Sequence, residues 1–403
     1  MPVTRDLLRG TARLAFDTVG GVTTTVEQMH ETIARLPAPW AAAPAAPTRA
    51  HGLVAAGVYS TVRGVNGLVG AAVDRSLALW PDAVGEARES GVEVSIAAAL
   101  NGARGDHLEA TGNPLAIPMQ LRTATTPLAL ESGRLQCALP AVSPHLVVLV
   151  HGLGLSERDW WRRGRASIGD RLEAGLGWTP LYLRYNTGRH ISTNGQELAT
   201  LLEQLCAAWP VPVASLTLVG HSMGGLVIRS ACWYAEARGL GWLGQLARVA
   251  CLGSPHHGSM LAKAGHTVDA LLRRVPYVAP FAFGERLSAG VADLRHGDLL
   301  DEDWAESPTG LLSEDRRRPV PLTPGVAWYF LAASVGRHER DPLGDALGDL
   351  LVRLGSASGH HDDDLRRLAV EPDNCRVFHE RNHFDLLDDE RVHRQLLDWF
   401  GDA

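Results

Sequence analysis

The stretch Thr217-Leu-Val-Gly-His-Ser-Met-Gly-Gly-Leu-Val-Ile-Arg-Ser230 constrains this chain more than any other. Residues Ala214 to Val219 alternate and then run apolar as a buried strand does. From Gly225 the spacing of Leu226, Val227, Ser230 and Ala231 suits a helix packed closely on a sheet. Between them, Gly220-His-Ser-Met-Gly224 matches G-x-S-x-G, a turn so sharp that the serine backbone is strained and its Oγ stands clear of the strand end. Glycine is needed two residues either side of Ser222, because a Cβ there would collide where strand and helix cross. With 42 glycines in 403 residues the pattern alone has little weight. The strand before it and the small-residue helix after it give it meaning, and a reactive serine then calls for a base, an orienting acid and an oxyanion site elsewhere in the chain.

Each of these has a candidate. Leu146-Val-Val-Leu-Val150 is apolar throughout, the mark of a strand covered on both faces, and it leads into His151-Gly-Leu-Gly154. The oxyanion left by attack on an ester carbonyl needs backbone N–H donors placed beforehand. The amides of Met223, just after the serine, and of Leu153, in the loop after the Leu146 strand, are expected to supply them. The base should follow the last strand; among 17 histidines, His383 in Asn382-His-Phe-Asp-Leu-Leu387 has that position. The acid should fall between serine and histidine, and Asp341, Asp345 and Asp349 all follow the strand that begins at Ala327. Asp349 is preferred, because Leu350-Leu-Val352 would anchor its carboxylate against the core. Asp345 is second, and Asp385 could instead hold the histidine loop. His221, His256 and His257 are expected to shape the substrate pocket beside Ser222. In the mechanism these parts imply, Ser222 Oγ attacks while His383 takes its proton, Asp349 fixes the imidazole tautomer, and water then releases the acyl group.

Leu149-Val-His-Gly-Leu153, Gly220-His-Ser-Met-Gly-Gly225, Leu252-Gly-Ser-Pro-His-His-Gly258, Gly348-Asp-Leu-Leu-Val352 and Asn382-His-Phe-Asp-Leu386 together resemble the α/β-hydrolase lipases and esterases. They are nearest the bacterial branch similar to triacylglycerol lipases and GPI inositol-deacylase-like proteins. The resemblance covers about residues 119 to 403. It implies an α/β-hydrolase fold, carboxylic-ester hydrolysis, and Ser222, Asp349 and His383 as catalytic triad. Relatives often carry Asp-Gly-Leu-Val at the acid, whereas this chain has Leu350 in place of that glycine.

The rest of the chain fits a mostly parallel central sheet with helices on both faces, since strands and helices alternate as right-handed crossovers require. Short strands are expected at Met119–Leu121, Leu128–Leu130 and Leu135–Leu139. A helix should run from Trp160 to Leu176, and another from an Asn194 cap to Trp209. Strands follow at Ala247–Leu252, Ala327–Ala332 and Arg376–His379, with a closing helix Asp389–Phe400. Residues 259–325 interrupt the alternation with a proline-punctuated apolar run, Val275–Phe283, and read as a cap or lid insertion. Residues 1–118 form a separate helical region. One apolar stripe runs from Leu14 to Ile33 and a second from Val54 to Leu77, around a Pro37–Pro47 linker, and they are expected to pack on the downstream domain. The sharper alternative makes them a lipid- or polyester-binding surface. An acyltransferase with the same triad is the other alternative.

Composition sets the outer limits. Hydrophobic residues at 45% and charged residues at 21% suit an ordinary globular chain, and a net charge of −7 argues against a nucleic-acid partner. The five cysteines lack metal spacing, which suits free thiols in a reducing cytoplasmic compartment. The first residues lack the apolar run of a secretory signal, and a small-molecule or lipid ester is the expected partner. His360-His-Asp-Asp-Asp364 has the composition of a metal cluster, but five adjacent residues point in different directions. A solvated loop whose Asp caps a helix at Leu365 is the expectation, with no cofactor.

Overall fold

The computed structural model describes residues 4–35, 49–79, 90–139, 141–259, 288–305, 317–339, 341 and 348–401. The elements in order are α1 (Arg5–Arg35), α2 (Arg49–Ala78), α3 (Gly91–Ala110), β1 (Gln120–Arg122), α4 (Ser132–Ala138), β2 (His145–Val150), α5 (Ile168–Leu176), β3 (Thr179–Arg184), α6 (Ile191–Ala208), β4 (Ser215–His221), α7 (Met223–Arg238) and β5 (Leu246–Leu252). Then follow α8 (Ala289–His296), α9 (Asp301–Ala305), β6 (Ala327–Ser334), α10 (Leu354–Ala357), β7 (Cys375–His379) and α11 (Glu390–Gly401). The strands form one seven-stranded sheet in the order β1-β3-β2-β4-β5-β6-β7. Only β1 runs antiparallel, against β3; all the other pairings are parallel.

The apolar runs of the strands follow from burial on both faces. On β2, Leu146, Val148 and Val150 face a core completed by Leu198, Leu202 and Leu205 of α6 and Leu226, Val227 and Ala231 of α7. Val147 and Leu149 face the opposite core, with Ile168 and Leu172 of α5 and Leu396 and Phe400 of α11. Parallel strands sandwiched this way have no solvated face, so alternation disappears from their sequence. Helices on both faces of a parallel sheet, with the sharp strand-to-helix turn on its central strand, make this an α/β-hydrolase fold.

Several local expectations change. Leu135–Leu139 is not a strand but lies in α4, with Leu135 as its buried contact, and Leu128–Leu130 contributes no strand beyond a single bridge between Arg122 and Pro127. The proline lacks the N–H a ladder requires. The helix expected over 160–176 is broken into a turn at Glu157–Gly164 and α5. Arg163 (φ 53°) and Gly164 (φ 68°) reverse the chain there, and Ser167 caps α5 through Asp170 N at 3.0 Å. Asn194 is no cap: α6 starts at Ile191, whose N–H is taken by Asp293 Oδ2 at 2.7 Å, and buried Asn194 donates to Asn186 O at 2.9 Å. No helix forms at Leu365, where Asp363 Oδ1 caps a turn by accepting Leu365 N at 3.0 Å. The second stripe does not pack on the sheet domain: Val58, Val62, Val65 and Val69 of α2 are exposed, and α2 leans on α1 instead, with Asn66 Nδ2 donating to Phe16 O at 2.8 Å. The Pro37–Pro47 linker, the Val275–Phe283 run and Asp345 lie outside the described residues. Among the described residues no helix is long and apolar enough to cross a membrane.

Candidate active site

Ser222 sits between β4 and α7 with φ 55° and ψ −123°, a backbone conformation that L residues adopt only under constraint. Its N–H donates to Leu252 O of β5 at 2.8 Å, which fixes the turn to the neighbouring strand. The flanking glycines are needed for space. A Cβ on Gly220 would lie 2.5 Å from Gly225 N, and one on Gly224 would lie 2.2 Å from Val150 O. Packing this close lets α7 point its first turn at the serine. Met223 opens that helix with its side chain fully buried, and its amide is among those at a helix start with no intrahelical acceptor.

The loop after β2 passes directly over the serine. A Cβ on Gly152 would lie 2.9 Å from Ser222 Cβ, so only glycine allows the approach. Tyr185 OH donates to His151 O at 2.8 Å, its ring stacks on His151 at 4.6 Å, and Gly154 N donates to Thr187 Oγ1 at 3.0 Å. Together these contacts hold Leu153 at the edge of the cavity. Burial pushes His151 below the ordinary histidine value, against the opposing pull of the Gly152 carbonyl, so this ring is neutral and structural.

On the far side, His383 Nδ1 is 2.6 Å from Asp349 Oδ2, with both side chains almost wholly buried. The carboxylate can only accept, so Nδ1 carries the proton and Nε2 is left with its lone pair. Asp349 is oriented by its own loop: Oδ1 accepts Leu351 N at 2.9 Å and Val352 N at 2.7 Å, and its carbonyl accepts His383 N at 3.1 Å. Leu350 has φ 79°, a left-handed backbone that glycine adopts freely and leucine does not. Asp385 holds the histidine loop, its Oδ2 accepting Asn382 N at 3.0 Å while Asn382 Oδ1 accepts Phe384 N at 3.0 Å. Asp341 accepts Arg337 N at 2.8 Å.

Ser222 and His383 line one cavity of about 470 Å³, counting the space at its mouth. His221 lines it too and donates from Nε2 to His383 O at 3.2 Å. The remaining walls are apolar: Leu153, Leu155, Pro255, Leu294, Val352 and Phe384 among them. Leu294 comes from α8, inside the interrupting segment, which thereby contributes a wall to the cavity. Nothing in the sequence near Leu294 marks it, because its role depends on where α8 docks. Phe384 was recoverable in principle, since it adjoins His383. His256 and His257 are placed elsewhere. They line a second cavity, and His256 stacks on Phe330 at 4.4 Å, because the loop after β5 turns Pro255 toward Ser222 and the next two residues away. Among the described residues no group of three or more His, Cys, Asp or Glu is placed to hold a metal ion.

Comparison with solved structures gives matches of low score. A lipase of Bacillus licheniformis in its mature form is 19% identical with a TM-score of 0.38, covering 62% of this chain and 91% of that one. The esterase Pf2001 of Pyrococcus furiosus is 15% identical at 0.36, covering 64% and 81%. A thioesterase of the prodiginine pathway in Streptomyces coelicolor is 20% identical at 0.36, covering 65% and 91%. None of the curated proteins matches the chain. Residues 141–275, which hold the oxyanion-loop candidate, the Ser222 turn and the loop after β5, match the protein family described as "Putative serine esterase (DUF676)".

Proposed function

We propose that the protein is a serine hydrolase that cleaves carboxylic esters through an acyl-enzyme on Ser222, acting as an esterase or lipase. The reading is carried by one observation: His383, bonded at 2.6 Å to buried Asp349, shares a single apolar cavity with a serine held at φ 55°. In this reaction His383 Nε2 takes the Ser222 proton as Oγ attacks the carbonyl. Asp349 keeps the ring in the required tautomer and stabilises the imidazolium that forms. The Leu153 and Met223 amides receive the oxyanion, where each such donor is worth about 3 kcal/mol. His383 then passes its proton to the departing alcohol, and water activated by the same ring frees the acid. The apolar walls suit an acyl chain, and the similarity of residues 141–275 to a serine esterase family agrees with the reading.

Hydrolysis of p-nitrophenyl esters from acetate to palmitate tests it. Wild type should turn over at least one of them, and Ser222→Ala should lose all but a trace. A folded wild type inert across the series would sink the proposal. Contact with a lipid or polyester surface is favoured separately by the α2 stripe, whose four valines Val58, Val62, Val65 and Val69 are 42% to 56% exposed. Co-sedimentation with phosphatidylcholine vesicles should then be lost in Val62→Asp/Val65→Asp while hydrolysis of a soluble ester persists; equal sedimentation of variant and wild type would remove that contact.

A further inference from the structure

The loop Gly253–Ser259 separates two cavities. Pro255 and Ser259 face the one that holds Ser222, while His256 and His257 face a second of about 330 Å³, counting its mouth. The second cavity is walled by arginines: Arg229 from α7, Arg317 and Arg318 ahead of β6, and Arg366.

Arg229 is only 4% exposed. Its Nη2 donates to Val320 O at 2.5 Å, its Nη1 is 3.5 Å from His256 Nδ1, and its Nε has no acceptor among the described residues. Nor does any carboxylate among the described residues bond to it. Burial lowers the guanidinium to about 10, with the charge of Arg317 adding to the effect, so it remains a cation at neutral pH. A buried cation facing one carbonyl and a neutral ring is poorly compensated.

Asp303 also lines the cavity. Its carboxylate accepts backbone donors, Oδ2 taking Leu299 N at 2.9 Å and Leu300 N at 3.0 Å, and Oδ1 taking Arg318 N at 2.9 Å. Arg366 is paired with Asp363 at 3.4 Å, and Arg318 lies 4.9 Å over the Trp233 ring. Burial holds His256 well below the ordinary histidine value and His257 at about 4, so both rings are neutral. Because Nδ1 of His256 faces the Arg229 donor, its proton sits on Nε2, which is buried without a partner. Arg229 Nε and His256 Nε2 are thus buried polar atoms with no acceptor among the described residues, in a cavity whose walls also carry Arg317, Arg318 and Arg366.

We propose that this second cavity binds a small oxyanion, a carboxylate or a phosphate, seated on the Arg229 guanidinium with His256 Nε2–H as a further donor. A guanidinium offers parallel N–H groups that match two oxygens of either anion, and exclusion of water strengthens the pairing. The site is distinct from the Ser222 cavity and stands whether or not Ser222 is the nucleophile.

The test is calorimetric titration and thermal melting of the full chain with inorganic phosphate and with acetate, in chloride buffer at constant ionic strength. At least one oxyanion should bind saturably and raise the melting temperature beyond chloride. Phosphate alone, or acetate alone, would identify which of the two chemistries the site serves. Arg229→Gln should abolish binding, and His256→Phe, which removes the Nε2–H donor, should weaken it by about tenfold, the loss expected for one charge-assisted contact. If neither anion exceeds chloride, the proposal fails. It fails equally if folded Arg229→Gln binds as tightly as wild type, or, should that variant not fold, if His256→Phe does.

Discussion

At the residue scale, the orientation of His383 rests on Asp349, and the two are separable from binding. Asp349→Asn keeps the shape but offers an amide where the ring needs an acceptor, favouring the wrong tautomer. Steady-state kinetics should show kcat lowered by about 10⁴ with KM little changed. Leu350 makes a contrary prediction. Its left-handed backbone costs about 1 kcal/mol relative to glycine, and the side chain is 47% exposed, so little packing is lost with it. Leu350→Gly should therefore raise the thermal midpoint slightly and leave ester turnover intact; a lowered midpoint would mean that the leucine packs against something that the strain estimate ignores. Both residues stood out in the sequence because short motifs carry their own geometry. The Ser222 turn and the pairing of Asp349 with His383 were legible for that reason, as was the loop that carries Leu153, their catalytic roles being those proposed above. His256 and His257 were misplaced because a loop's direction after its strand is set by what packs on it, here Phe330 and Ser356, and neither lies nearby in sequence.

At the scale of elements, the crossing of β4 and α7 depends on an approach that a single methyl would spoil. Gly224→Ala would put a Cβ 2.2 Å from Val150 O, and backbone cannot yield as a side chain does. Denaturant unfolding should show a loss of at least about 3 kcal/mol, or no soluble protein at all. The docking of α8 has a pH dependence. His190 Nδ1 lies 3.0 Å from Asp293 Oδ1, and the ring stacks on Trp304 of α9 at 3.9 Å. Burial pulls His190 down, but the hydrogen bond and charge of Asp293 outweigh it and raise it above 6.5. Burial raises the Asp293 carboxyl as well, against the pull of His190, and the ion pair is the direction we take for the couple. A raised histidine stabilises the folded state fully below its unfolded value of 6.5, and the contribution fades as pH climbs through the raised folded value. The urea midpoint of wild type should accordingly fall as pH rises from 6.5 through the raised folded value, more steeply than that of His190→Gln. Such pairs were invisible in the sequence, since the two residues lie 103 positions apart. Helix starts were misread for the same reason, α6 beginning where Asp293 takes the Ile191 amide rather than at a local cap.

For the whole molecule, a largely parallel sheet was implied by the alternation of strands and helices, whereas its strand order and the fate of the N-terminal helices were not. Apolar periodicity says that a face exists, never what covers it. Leu7 and Leu14 of α1 bury against Leu100 and Leu108 of α3, while the α2 valines remain outside. α3 in turn is bound to the sheet domain and to α8. Asn186 Nδ2 donates to Gly105 O at 2.9 Å, Ser288 Oγ donates to Gly102 O at 2.6 Å, and Asp106 Oδ2 accepts Ala289 N at 3.0 Å. Deleting residues 1–118 should hence yield aggregated protein, whereas deleting 1–89 should keep a folded protein with the ester turnover proposed above. Size-exclusion profiles and p-nitrophenyl ester turnover of the two truncations would decide, and a monodisperse, active product of the longer deletion would contradict the contacts just described.

The partition formed by Gly253–Ser259 has a thermodynamic consequence. An occupant on either side that shifts this loop changes the free energy of occupancy on the other, and the exchange must be equal in both directions. The factor by which an oxyanion alters the affinity of a reversible ester analogue is then the factor by which that analogue alters the affinity of the oxyanion. Two titrations run in opposite order would measure a single number, the stiffness of one loop expressed as a coupling between two chemistries.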